Sequence, residues 1–138
     1  MQSVLIINGP NLNLLGTREP QIYGNLNFED YLLQLKSRFS SIVIDYQQSN
    51  SESEIISFLH NSNQDLIVIN GGAFSHTSIA IADAVKAINK NVIAVHISNT
   101  LLREDFRQTD YLASAASGAI IGLGLEGYAI AIEHSLDL

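Results

Sequence analysis

Leu66-Ile67-Val68-Ile69, then Asn70-Gly71-Gly72-Ala73-Phe74-Ser75-His76, then a helical pattern over 78–88, then Val92-Ile93-Ala94-Val95: this stretch decides the fold. The two apolar runs are short and mostly β-branched, as expected of strands buried on both faces. The alanine- and isoleucine-rich segment between them reads as a largely buried helix. Strand, helix and strand in that order form a right-handed parallel crossover unit.

The same alternation continues in both directions. Apolar runs at 4–7, 42–46 and 119–121 bring the strands to about five. Phe28, Leu32, Leu35 and Phe39 are spaced by four, three and four, so they share one helix face, with Asn27 placed as its cap. Ser51-Glu52-Ser53-Glu54 has capping-box spacing and opens a helix carrying Ile55, Ile56 and Leu59. Residues 126–134 read as the last helix, and 103–113 as a short helix or irregular turn. In 138 residues this implies one domain, 1–138, of class α/β. The expected architecture is a flavodoxin-like, doubly wound, five-stranded parallel sheet in three α/β/α layers. Ligands bind such folds at the carboxyl ends of the strands.

Composition narrows the function. Apolar residues at 46% against 15% charged exclude a disordered chain. With no cysteine, disulfides, thiolate metal sites and cysteine nucleophiles are excluded. Fourteen acids against seven bases give a net charge of −7, which leaves no basic face for nucleic acid. No apolar run approaches a membrane span, and Met1 leads almost directly into the first strand with no basic region before it. Neither a membrane anchor nor a secretory signal is expected, and the location is read as cytoplasmic. An anionic substrate would have to be held by local cations, so the placement of Arg18, Arg38, Arg103 and Arg107 matters.

Three segments after strands carry candidate chemistry. The connection from Asn8 to Gly24 is seventeen residues long and contains Asn11, Arg18 and Tyr23. Loops of that length are often functional lids. A cation beside a phenol favours the phenolate, which can act as a general base, although an arginine and a tyrosine in one loop are more often solvated and packed. His76 and His96 follow neighbouring strands and could face one pocket, either serving as a general acid. Arg103 and Arg107 are four apart, so a helical turn would put them on one side. Arg38 reads as ordinary helix surface.

Other chemistries fit poorly. Gly122-Leu123-Gly124-Leu125-Glu126-Gly127 imitates a dinucleotide fingerprint, but only eleven residues follow Gly127, too few for the required strand and acid. Those glycines are expected to make a tight strand-to-helix turn. Asn70 stands where a phospho-accepting aspartate would be needed, Gly72-Ala73-Phe74-Ser75-His76 is not a nucleophile elbow, and no His-x-x-x-His pair suggests a metal. No metal and no cofactor are expected.

The run Ile7-Asn8-Gly9-Pro10-Asn11-Leu12-Asn13-Leu14-Leu15-Gly16-Thr17-Arg18-Glu19-Pro20, followed by Ile22-Tyr23-Gly24, closely resembles the signature of type II 3-dehydroquinate dehydratases. Gln47-Gln48-Ser49-Asn50, residues 70–78, His96-Ile97-Ser98-Asn99, Arg103-Glu104-Asp105-Phe106-Arg107 and Gly122-Leu123-Gly124-Leu125-Glu126-Gly127-Tyr128 match in order and spacing. The resemblance implies a lyase that dehydrates 3-dehydroquinate to 3-dehydroshikimate without a cofactor, in the shikimate pathway or in quinate breakdown. It implies Tyr23 as base, Arg18 as the cation favouring its phenolate, Asn11 as holder of a water that stabilises an enolate, and His96 as acid. It also implies that Asn70, Ile97 and Ser98 hold the carboxylate and nearby ring groups, that His76 and Arg107 bind ring hydroxyls, and that Asp83 reaches a neighbouring subunit's site. Trimers assembling into a homododecamer are implied as well.

The chain departs from the family pattern at several positions. Ala94 stands where a glutamate usually orients the histidine two residues on. Gly71 replaces a usual proline, Phe74 a usual tyrosine, and Ser51 and Ser53 a usual histidine and glycine. Ala94 motivates a second reading, in which ligand binding persists with little turnover.

Overall fold

The computed structural model describes residues 2–17 and 26–138. Strands β1 (Ser3–Asn8), β2 (Val43–Gln48), β3 (Leu66–Asn70), β4 (Asn91–His96) and β5 (Gly118–Ile121) form a sheet in the order β2-β1-β3-β4-β5. Every neighbouring pair is parallel. This is the flavodoxin-like order, with the direction of winding reversing between β1 and β3.

The two cores follow from the period-two alternation of the strands. Val4 and Ile6 of β1 face one side, where they meet Phe28 and Leu35 of α1 (Phe28–Arg38) and Tyr128 and Ile132 of α5 (Glu126–Ser135). Leu5 and Ile7 face the other side, against α2 (Glu52–His60), α3 (Ile79–Ala87) and α4 (Tyr111–Ala115), which contribute Ile55, Leu59, Ile81, Val85 and Leu112. Burial on both faces holds for β1, β3 and β4. It fails at the edges: Ile44 of β2 is buried while Val43, Asp45 and Gln47 are exposed, and β5 is only half-buried. An edge strand has one hydrogen-bonded neighbour, and here the helices do not extend over both of its faces.

Side-chain caps set the starts of α1 to α4. Asn27 Oδ1 accepts from the Asp30 N–H at 2.8 Å. Ser78 Oγ accepts from the Ile81 N–H at 3.0 Å and donates to Glu52, which ties α3 to α2. At α2 the expected reciprocal box is rerouted. Ser51 Oγ accepts from the Glu54 N–H, but the Glu54 carboxylate accepts from Ser49 Oγ, which itself accepts from the Ser51 N–H. Residues 103–113, which follow a 3-10 turn at Thr100–Leu102, resolve into a second 3-10 turn at Asp105–Gln108 and the start of α4. Gly122 and Gly124 have φ of +88° and +64°, as the tight turn into α5 requires. Arg38 is on the surface as expected but paired, bridging α1 to Glu126 and Glu133 of α5 at 2.8 and 2.7 Å.

A buried polar chain closes the carboxyl end of the sheet. Tyr128 Oη donates to Asn8 Oδ1 at 2.7 Å and accepts from Asn70 Nδ2 at 3.0 Å. Asn8 and Asn70 are register partners on β1 and β3. All three residues are buried, and burial holds the Tyr128 phenol far above its ordinary pKa. Tyr128→Phe would leave one amide oxygen and one amide N–H unpaired, so it should lower the unfolding free energy by about 2 kcal/mol in urea denaturation.

Candidate active site

The carboxyl ends of β1, β3 and β4 surround a pocket. Pro10, Asn11 and Leu12 come from the loop after β1, and Asn70, Gly72, Ala73 and His76 from the loop after β3. His96, Ile97, Ser98, Thr100, Arg103 and Arg107 follow from the end of β4 onward. Most of the expected site residues therefore meet in one place. Asp83 does not: it lies on the exposed face of α3, outside the pocket wall. Arg18 and Tyr23 lie outside the described residues.

The loop after β1 enters the pocket through a tight approach to β3. The Gly9 N–H donates to the Asn70 carbonyl at 2.8 Å, and Gln48 Nε2 donates to the Gly9 carbonyl. Asn11 follows with φ of +68°, a left-handed conformation that asparagine tolerates better than most residues, and its N–H donates to Asn50 Oδ1. Asn70 is anchored at both ends of its amide. Its Oδ1 accepts from the Gly72 N–H at 3.1 Å and its Nδ2 donates to Tyr128, which leaves one Nδ2 proton for a ligand. Gly71, in place of a usual proline, packs closely: a Cβ there would stand 2.7 Å from both Leu112 Cδ2 and Ser75 Oγ.

His76 and His96 are both buried, with ring centroids 5.6 Å apart and planes at 21°. Their hydrogen bonds assign them different states. His76 Nδ1 lies 2.8 Å from the Thr109 carbonyl, which can only accept, so Nδ1 carries a proton. Its Nε2 is buried without a partner among the described residues. His96 Nε2 lies 2.7 Å from Asp110 Oδ2, so there Nε2 is the donor. Asp110 was not legible as a site residue. Burial opposes its charge, but hydrogen bonds from His96 and from the Ala113 N–H, with the charge of the two imidazoles, hold its carboxyl below the usual range. An aspartate just before the short apolar run at 111–113 does signal a helix cap, and Asp110 Oδ1 accepts from the Ala113 N–H at 2.8 Å. Nothing local signals that Oδ2 meets an imidazole fourteen positions back.

The cations form the outer wall. Arg103 Nη1 donates to Ser98 Oγ at 3.4 Å, and Arg107 Nε donates to Glu104. The Arg107 guanidinium holds the Glu104 carboxyl below its ordinary range and lies 5.1 Å from the Phe106 ring centroid. The pocket thus offers two guanidinium groups, an open imidazole nitrogen, a carboxylate-paired imidazole and a partly free amide. That set suits a small anion bearing several hydroxyl groups, and it can deliver a proton.

The whole chain has relatives of known kind. The family model described as dehydroquinase class II matches residues 2–136. A 3-dehydroquinate dehydratase of Buchnera aphidicola is 49% identical over 138 residues, covering 97% of this chain and 90% of that protein. A catabolic 3-dehydroquinase of Emericella nidulans is 47% identical, covering 96% and 90%. The crystal structure of a type II dehydroquinase from Butyrivibrio crossotus superposes with a TM-score of 0.93 at 42% identity, covering 96% of each chain. One from Propionibacterium acnes gives 0.91 at 39%, covering 97% of this chain and 95% of that one. With sequence and backbone both matched almost from end to end, the chain belongs to the class II dehydroquinase family.

Proposed function

We propose that this protein dehydrates 3-dehydroquinate to 3-dehydroshikimate by trans elimination through an enolate, as a step of the shikimate pathway. The observation that carries the reading is the stacked histidine pair with divergent hydrogen bonding, set among arginines in a chain of this family. Elimination beside a ketone needs a base, an oxyanion stabiliser and an acid. Tyr23 takes the proton from the carbon next to the ketone, with Arg18 favouring its phenolate. Asn11 holds the water that hydrogen-bonds the enolate oxygen. The carbon–oxygen bond then breaks, and His96 gives its proton to the departing hydroxyl, which leaves as water.

The remaining roles follow the pocket wall. The free Nδ2 proton of Asn70 and the loop at Ile97 and Ser98 receive the substrate carboxylate. His76 Nε2 accepts from a ring hydroxyl, since its other nitrogen is committed to Thr109. Arg107 binds a second hydroxyl and supplies positive charge in an otherwise acidic chain; distant surface acids are screened beyond about 8 Å at physiological salt, so the local guanidinium groups dominate. Asp83, exposed on α3, is left to serve the site of an adjoining copy in a trimer-based dodecamer, which light scattering would detect.

Purified protein given 3-dehydroquinate should generate the ultraviolet absorbance of a conjugated enone at a rate proportional to protein. A rate equal to the buffer control would overturn the reading.

A further inference from the structure

We propose that Asp110, at the start of α4, is the positioning residue for the acid His96: it holds the Nε2 proton and supports the doubly protonated ring, from which Nδ1 gives its proton to the leaving hydroxyl while Nε2–H stays on the carboxylate. The activity part of this inference rests on the dehydratase reading; the pairing itself does not.

Four observations carry it. The Nε2–Oδ2 distance of 2.7 Å is that of a charge-assisted hydrogen bond. The pair is largely withdrawn from water, with side chains 6% and 15% exposed, so its coupling is screened far less than a surface pair's. The carboxylate is itself fixed, because Oδ1 is tied to the Ala113 N–H and cannot swing away without uncapping α4. Finally, β4 supplies no competing acceptor. Ala94, two residues back and on the same strand face as His96, ends in a buried methyl. An imidazole with one nitrogen bound to a fixed carboxylate is held in one orientation, its neutral form in one tautomer, and the carboxylate favours the doubly protonated ring that serves as the acid. Orienting a catalytic histidine from a helix cap rather than from its own strand also couples the acid to the helix that packs behind the pocket, through Leu112.

The capping geometry provides a clean test. In Asp110→Asn, Oδ1 can keep the Ala113 N–H, since asparagine caps as well as aspartate. The amide NH2 must then face His96 Nε2. Two donors cannot pair, so Nε2 must accept from the amide and the neutral ring's proton moves to Nδ1, while the doubly protonated ring, the form that gives up an Nδ1 proton and stays neutral, loses its carboxylate. Asp110→Ser keeps a capping oxygen but removes the carboxylate, and serves if the asparagine variant folds poorly. Nitrogen-15 NMR of the imidazoles in the substrate-free protein, with His96 assigned by its own substitution, should place the neutral-ring proton on Nε2 in the wild type and on Nδ1 in Asp110→Asn. Both variants should lose about 10- to 100-fold in kcat with KM within threefold of wild type. A proton that stays on Nε2 in the asparagine variant, or a kcat within twofold of wild type in both variants, overturns the assignment. If the wild type itself gives no turnover, the dehydratase reading falls, and the NMR result alone decides the role of Asp110.

Discussion

Tyr23→Phe should lower kcat about a thousandfold while KM stays within a few-fold, because the variant keeps the ring and loses only the proton acceptor. The other tyrosines make the choice of Tyr23 specific. Burial pushes the Tyr31 phenol up to about 12 and raises Tyr46 and Tyr128 as well, so none of these three supplies a phenolate near neutral pH. Tyr31 and Tyr128 are also committed, Tyr31 donating to the Leu125 carbonyl and Tyr128 to Asn8. Tyr111 starts α4, away from the pocket wall. Tyr23 differs in having Arg18 five positions before it in the same loop, and a neighbouring cation shifts a phenol downward from its ordinary value of about 10. The serious rival is His76, whose Nε2 is open and buried in the pocket. If His76 were the base, Tyr23→Phe would turn over at close to the wild-type rate in the enone assay. A thousandfold loss with substrate binding intact, seen by calorimetry, would assign the base to the loop.

The parts of the molecule that were legible from sequence are those written in local spacing. Asn27 caps α1 and Ser78 caps α3 because a short polar side chain reaches an N–H three residues on, and that relation is visible in the chain itself. The run 66–69 reads as a doubly buried strand because every residue in it is apolar. What escaped depends on neighbours distant in sequence. The run 42–46 reads as a strand buried on both faces, yet β2 lies at the sheet edge and buries only Ile44 fully, because its neighbours are set by topology. Glu54 has the spacing of a capping box, yet Ser49 sits nearer and intercepts it. The site shows the same division. His76 and His96 could be brought together by placing each at the end of a neighbouring strand, because strand ends define one surface. Asp110 could not, because its distance from His96 depends on how the turns between Thr100 and Gln108 fold back over the pocket.

Gly9→Ala should destabilise the protein by about 3 kcal/mol or more, the largest effect expected of any single methyl near the pocket. A Cβ at Gly9 would overlap the Gly71 carbonyl oxygen and stand 2.7 Å from its carbon. Both are backbone atoms, so no side chain can rotate aside. At Gly71 the atoms met are instead a leucine methyl and a serine hydroxyl, which can adjust in part. To admit the methyl at Gly9, the loops after β1 and β3 must separate. That strains the Gly9–Asn70 hydrogen bond and pulls at Asn8 and Asn70, which share the Tyr128 hydroxyl. Overpacking costs about 1–3 kcal/mol and a weakened buried hydrogen bond about 1–3 more. For a domain of this size the sum lowers Tm by roughly 10 °C. The same separation would move Pro10 and Asn11 on one wall relative to Asn70 and His76 on the other, so KM should rise along with the loss of stability. A Tm within about 2 °C of wild type, with KM unchanged, would show that the two loops are not held in contact through Gly9, and that the pocket tolerates independent motion of its walls.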